Sequence, residues 1–259
     1  YIGAKMRGIL LAGGTGSRLF PLTRVIDQYL LPVGKYPMVF YPLERLKKAG
    51  IKQVLIVAGR ETLGPLIGIL GSGDSYGLEL QYQVREKPAG FPITLPAGTL
   101  SGLELAADFV RQEPFLVVLG NQIFRDDLDQ AVTAFKNQPV GARIFLKEVH
   151  DPKERAFEEC AIAEFQSNQL FRVRPNHSND TSNPCITGIY MFDAKVFDFI
   201  SKIKHHSGKE PEITEVLDAF LARGELSFQA LRDWWVEVET FETLELANEY
   251  AQGVELEFN

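Results

Sequence analysis

The chain has 259 residues, 45% of them hydrophobic, which is enough for one large α/β domain or two small ones. Its formal net charge is −7 and its pI about 5.3, with acids and bases interspersed. Such a surface argues against a nucleic-acid binder held by phosphate contacts, and no apolar run reaches the ~18–20 residues of a membrane span.

Residues 1–5 are expected to be an expression leftover ahead of a native start at Met6. With no signal peptide before that methionine, the expected compartment is the cytoplasm. Gly8–Ala12 is apolar almost throughout and reads as a buried strand. It runs straight into Gly13-Gly14-Thr15-Gly16-Ser17-Arg18. A strand, a glycine-rich turn and a helix start make an anion site. Glycines let backbone N–H groups approach phosphate oxygens, the helix end adds partial positive charge, and Arg18 can neutralise a phosphate. The spacing is neither that of the Walker A loop nor that of the dinucleotide fingerprint.

Further strands are expected at Gln53–Ala58, Phe115–Leu119, Ala142–Val149, Ala161–Phe165, Ile186–Phe192 and Trp234–Val238. Helices are expected at Met38–Ala49, Leu100–Arg111, Leu128–Lys136, Ala194–Lys202, Glu212–Arg223 and Glu242–Gln252. The alternation implies a mostly parallel sheet with helices on both faces, in a single domain over residues 6–252. In Leu100–Arg111 the residues Leu103, Ala106, Ala107 and Val110 share one face. Asp193 suits an N-cap, and the acids Glu210, Glu212 and Glu215 suit a helix start. The four histidines show no metal spacing, and Cys160 and Cys185 read as buried free thiols. Pro175–Pro184 reads as a hairpin tip or loop. Glu86–Ala97 carries three prolines and is long for a connection, which suits a protein partner or a second copy of the chain.

The run Leu11-Ala12-Gly13-Gly14-Thr15-Gly16-Ser17-Arg18-Leu19 is followed by Leu30-Leu31-Pro32-Val33 and Tyr36-Pro37-Met38. Leu119-Gly120-Asn121, Lys147-Glu148-Val149, Thr187-Gly188-Ile189-Tyr190, Glu212-Ile213-Thr214-Glu215 and Trp234-Trp235 then come in order. Together these segments resemble the sugar-1-phosphate nucleotidyltransferases, most nearly the glucose-1-phosphate thymidylyltransferases, over almost all of residues 6–250. The resemblance implies a Rossmann-like three-layer α/β core, a mostly parallel sheet and a small β-rich insertion on the sugar side. It also implies a reaction in which a sugar 1-phosphate attacks the α-phosphorus of a nucleoside triphosphate and releases pyrophosphate, with Mg²⁺ as cofactor if the chain is active.

On that resemblance the catalytic positions are Arg18 and Gln28, and Gln28 stands where the family has a phosphate-gripping lysine. Leu11, Ala12, Gly13, Gly14, Thr15, Gly16, Ser17, Arg85, Gly98 and Gly120 fall on the nucleotide, with Arg85 in the base-reading place of a glutamine. Ala161, Arg174, Ile186 and Trp235 fall on the sugar phosphate, and Val173 replaces a residue that bonds a sugar hydroxyl. The metal positions are Asn121, where the family has an aspartate, and Glu237, where it has another. Glu239 replaces a glycine and adds bulk and charge beside them. Three readings follow from this pattern. One is a nucleotidyltransferase with weakened catalysis. Another is a disabled relative that binds a nucleotide or sugar nucleotide, and the third is an assembly partner that uses Glu86–Ala97. None of the three involves nucleic acid or a membrane.

Overall fold

The computed structural model describes residues 5–86, 99–137, 141–149, 160–176, 182–207 and 212–258. The first half of the chain runs through β1 (Arg7–Ala12), β2 (Pro32–Val33), β3 (Tyr36–Pro37), α1 (Phe40–Lys48), β4 (Gln53–Gly59), α2 (Arg60–Leu70) and β5 (Glu79–Arg85). The middle holds α3 (Thr99–Glu104), α4 (Ala107–Val110), β6 (Phe115–Leu119), β7 (Gln122–Phe124), α5 (Asp129–Asn137) and β8 (Ala142–Lys147). Then come β9 (Ala161–Gln166), β10 (Gln169–Pro175), β11 (Cys185–Phe192), α6 (Lys195–Ser207), α7 (Ile213–Leu221), β12 (Leu226–Ala230), β13 (Trp235–Glu237) and α8 (Phe241–Tyr250).

Among the described residues nine strands form one sheet. Its main path is β10-β9-β11-β6-β1-β4-β5, and β8 and β12 join beside β11. β6, β1, β4 and β5 are mutually parallel. The antiparallel pairs gather around β11 and the β9–β10 hairpin. Successive residues of β1 point to opposite faces, as the two-residue period of a strand requires. Leu10 and Ala12 join the apolar cluster that holds Leu43 and Leu46 of α1 and Leu66 of α2. Ile9 and Leu11 join the cluster that holds Leu103 of α3, Ile200 of α6 and Phe220 of α7. The three-layer arrangement is therefore already written in the apolar run of the first strand. A third cluster, with Leu19, Met38, Ile123 and Val236, seats β13 and α8 against the segment after the glycine loop.

Several expectations need correcting. Cys160 and Cys185 are not free thiols but a disulfide, which ties the start of β9 to the start of β11. The register brings Cys185 opposite Ile162, and the Cα atoms lie 5.9 Å apart, within the usual reach of a disulfide. A separation of 25 residues gives no hint of that adjacency. The helix expected over Leu100–Arg111 is interrupted: Ala106 donates to the Leu103 carbonyl in a tight turn between α3 and α4. Leu103, Ala106 and Val110 are nonetheless fully buried. The helix α2 was not expected, because Gly64, Pro65 and Gly68 disguise it, although Leu63, Leu66 and Leu70 recur at helical spacing and are buried. Among the described residues no helix is long and apolar enough to cross a membrane. The segment Glu86–Ala97 lies outside the described residues except for Glu86, which pairs with Arg60 at 2.6 Å.

Candidate functional site

The parallel strands end on one side of the sheet, and their ends build a cavity of about 400 Å³. Ligands of open α/β sheets sit outside the carboxyl ends of the strands. β1 delivers the glycine loop there, and β5, paired to β4 as far as Gly59 and Arg85, delivers Arg85. β6 delivers Gly120 and Asn121, with Gly120 donating to the Leu11 carbonyl at 2.8 Å.

The loop is held open by local chemistry. Gly16 has φ +62°, the left-handed region that favours glycine, and a Cβ there would meet Gln28 and Thr23 at 2.8 Å. The Thr23 hydroxyl donates to the Gly16 carbonyl at 2.6 Å. The Gly14 N–H donates to the Tyr29 hydroxyl at 2.8 Å. Burial raises the Tyr29 pKa above its ordinary value, so the hydroxyl stays protonated. The Arg85 guanidinium lies against Gly13, where a Cβ would sit 2.6 Å from Nη1. A side chain at position 13 would make the Arg85 guanidinium shift from its place over the loop.

β13 closes the opposite wall. It pairs antiparallel with β7, with Glu237 opposite Gln122, and the Val238 N–H donates to the Asn121 carbonyl at 2.9 Å. The Asn121 side-chain nitrogen faces Glu237 at 3.4 Å and Glu239 at 3.5 Å. Arg18 reaches across the mouth and donates to Glu239 at 2.5 Å. Burial and then the Glu239 charge push the Glu237 carboxyl up to about 8, against the opposing effects of Asn121, Gln122 and Arg18.

Of the residues expected at a site, Leu11, Gly13, Gly14, Thr15, Gly16, Ser17, Arg18, Gln28, Arg85, Asn121 and Glu237 all line this cavity. Ala12 and Gly120 are buried and do not line it, and Gly98 is outside the described residues. The sugar-side set is not brought to the cavity. Ala161 is partly buried at the start of β9, and Arg174 donates to Glu164 at 2.5 Å. Ile186 is buried among apolar side chains, and Trp235 turns into the core, where its Nε1 donates to Gln122 at 2.7 Å. Trp234 packs against Tyr250 instead, with the two rings tilted at 34°. Sequence reasoning missed Tyr29, Val57, Thr99, Gly102 and Leu119 among the lining residues. Glu212 and Glu215 form a capping box at the start of α7, as a helix-start role requires.

A glycine phosphate loop, two arginines and two carboxylates at the strand ends of a three-layer fold define a class of nucleotide-handling protein. The chain belongs to the nucleotidyl transferase family, whose model, described as "Nucleotidyl transferase", matches residues 7–253. Within it the chain is similar to the glucose-1-phosphate thymidylyltransferases. It is 31% identical to the one from Neisseria meningitidis over 254 residues, covering 96% of this chain and 84% of that one. It is also 31% identical to the low-salt glycan biosynthesis nucleotidyltransferase Agl11 of Haloferax volcanii, covering 94% of this chain and 65% of that one. A Bacillus anthracis protein solved with sucrose, and provisionally described as a glucose-1-phosphate thymidylyltransferase, superposes with a TM-score of 0.87 at 35% identity. That match covers 97% of both chains. A UDP-glucose pyrophosphorylase solved with UDP-glucose shares the fold at 19% identity and a TM-score of 0.74, covering 96% of this chain and all of that one.

Proposed function

We propose that the chain joins a nucleoside triphosphate to a sugar 1-phosphate and releases pyrophosphate, more slowly than relatives that carry two metal aspartates. The observation that carries this reading is the single cavity that gathers Gly13–Arg18, Arg85, Asn121 and Glu237. The triphosphate lies along the loop. Its oxygens accept from backbone N–H groups, and Arg18 and Arg85 neutralise the departing charge. Gln28 keeps a donor, without the charge of a lysine, where the family grips phosphate. The sugar phosphate oxygen attacks the α-phosphorus, a new P–O bond forms, and the α–β bond breaks with its electron pair leaving on pyrophosphate. The chain positions the two phosphates in line and does no covalent work.

Glu237 offers a hard oxygen donor at the cavity wall, which suits Mg²⁺ in kind, and Asn121, whose side-chain oxygen accepts from Gln122 at 3.3 Å, would add a second by turning its amide. A bound Mg²⁺ would neutralise charge that develops on the phosphates. On the sugar side, Arg174 is the member of its set with a charge to offer a phosphate. Trp235 acts through packing, because it holds Gln122, the neighbour of Asn121. The whole of residues 6–252 serves as one domain for this purpose.

The Arg18–Glu239 pair favours a second reading, a binding protein without turnover, because it occupies the cation that a phosphate needs. Its side chains are 40% and 37% exposed, and such a pair is worth only about 0–1 kcal/mol, so a phosphate can displace it. Pyrophosphate release measured with glucose 1-phosphate, Mg²⁺ and each nucleoside triphosphate in turn separates the two. Release above the protein-free rate, reduced roughly 10²-fold or more in Arg18→Ala, is expected. A nucleotide that raises the melting temperature without any release would favour the binding protein.

A further inference from the structure

Glu239 is the charged residue lining the cavity that the proposed reaction does not use. It stands two residues beyond Glu237, and alternate residues along an extended chain face the same side. Both carboxylates accordingly meet the same Asn121 amide, at 3.4 and 3.5 Å. Where the family has carboxylates at the places of residues 121 and 237 and a glycine at 239, this chain has an amide, a glutamate and a second glutamate. The number of carboxyl groups at the wall is unchanged, and only their position differs.

A second observation points to a ligand in the same cavity. Gln28 lines it, is only 6% exposed, and among the described residues its side-chain amide has no hydrogen-bond partner. The amide lies over Gly14 and Gly16, where a phosphate oxygen would come to rest. The amide faces the open cavity, so its N–H groups are available to a phosphate oxygen that enters there.

Resting on the nucleotidyltransferase reading, we infer that Glu239 has taken over the second metal carboxylate, so that Glu237 and Glu239 hold the divalent cation of a metal–triphosphate complex. Among the described residues no three His, Cys, Asp or Glu side chains cluster as a closed metal site. A dyad fits a cation whose remaining ligands are phosphate oxygens and water. The Arg18–Glu239 pair then becomes an exchange. Glu239 passes from Arg18 to the cation, and Arg18 passes from Glu239 to the phosphate.

The test uses inorganic tripolyphosphate, which needs no knowledge of the base. Thermal shift measures binding of the metal-free anion, and water-proton relaxation measures binding of its Mn²⁺ complex. In Glu239→Gln, metal-free tripolyphosphate is expected to bind more tightly, because Arg18 is released and a negative charge is removed. The Mn²⁺ complex is expected to bind roughly tenfold more weakly or worse, because ligand charge sets affinity for hard cations. Asn121→Asp with Glu239→Gly is expected to restore Mn²⁺-complex binding. If Glu239→Gln strengthens both forms, Glu239 only repels phosphate and the inference fails while the nucleotidyltransferase reading stands. If the wild-type chain binds neither form, both fail.

Discussion

Glu237 and Glu239 decide what the cavity can do, and their titration is measurable without any ligand. The folded chain keeps the Glu237 proton up to about 8, chiefly through burial and then through Glu239, whereas its ordinary value is 4.5. A group with a raised folded pKa contributes stability that is fully present below the unfolded value and is lost as pH rises through the folded one. Thermal melts of the metal-free protein should therefore fall in this respect between about pH 4.5 and pH 8, with little further change above. Glu237→Gln keeps the shape and removes the titration. The difference between wild-type and variant melting temperatures should move with pH across that window, and a constant difference would contradict it. At this scale the loop was the legible part. Gly13 to Arg18 are contiguous, and each glycine has a reason that a reader of sequence can state. The Arg18–Glu239 contact was not legible, because 221 residues separate its partners. Nor was the Arg85–Gly13 contact, which exists only because β5 lies parallel to β4, which in turn lies parallel to β1.

The elements that carry these residues were read unevenly. Strands buried on both faces announce themselves, and β1, β4, β6 and β11 fall where their apolar runs lie. β5, β10 and β12 did not announce themselves, because each alternates polar and apolar residues and lies half open to solvent. β7 is only three residues long, too short for a pattern, yet its pairing with β13 sets Glu237 beside Asn121. The residue after Glu239 matters in the same way. Thr240 caps α8 by accepting from the Thr243 N–H at 3.3 Å, and the Thr243 hydroxyl accepts from the Glu239 N–H at 3.0 Å. The cap therefore fixes both the start of the helix and the backbone of the second carboxylate. Thr240→Ala should cost about 1 kcal/mol in urea unfolding, the usual worth of an N-cap. An unchanged midpoint would mean that Thr243 alone holds the turn.

On the scale of the whole molecule, the fold divides into a parallel part that builds the cavity and an antiparallel part around β11. The sequence told the first part's purpose more clearly, because its chemistry is concentrated in one loop and three strand ends. The antiparallel part is pinned by the Cys160–Cys185 disulfide, which the spacing of two cysteines did not reveal. Of its sugar-side residues, Ala161, Arg174 and Ile186 lie side by side on β9, β10 and β11 without lining the cavity; Arg174 pairs with Glu164, and Ile186, like Trp235, is buried. Positions inferred from a resemblance fix a residue's place along the chain, but packing decides which way its side chain faces. The central claim is that the loop cavity holds a triphosphate whose cation sits on Glu237 and Glu239. Crystals grown with Mn²⁺ and a non-hydrolysable nucleoside triphosphate test it most directly, through the anomalous signal of the metal. The account predicts phosphate density over Gly13–Arg18 and a single Mn²⁺ peak between the two carboxylates, with Arg18 turned from Glu239 to the phosphate. A triphosphate bound elsewhere, or bound on the loop with Arg18 still on Glu239 and no metal peak beside it, would contradict it.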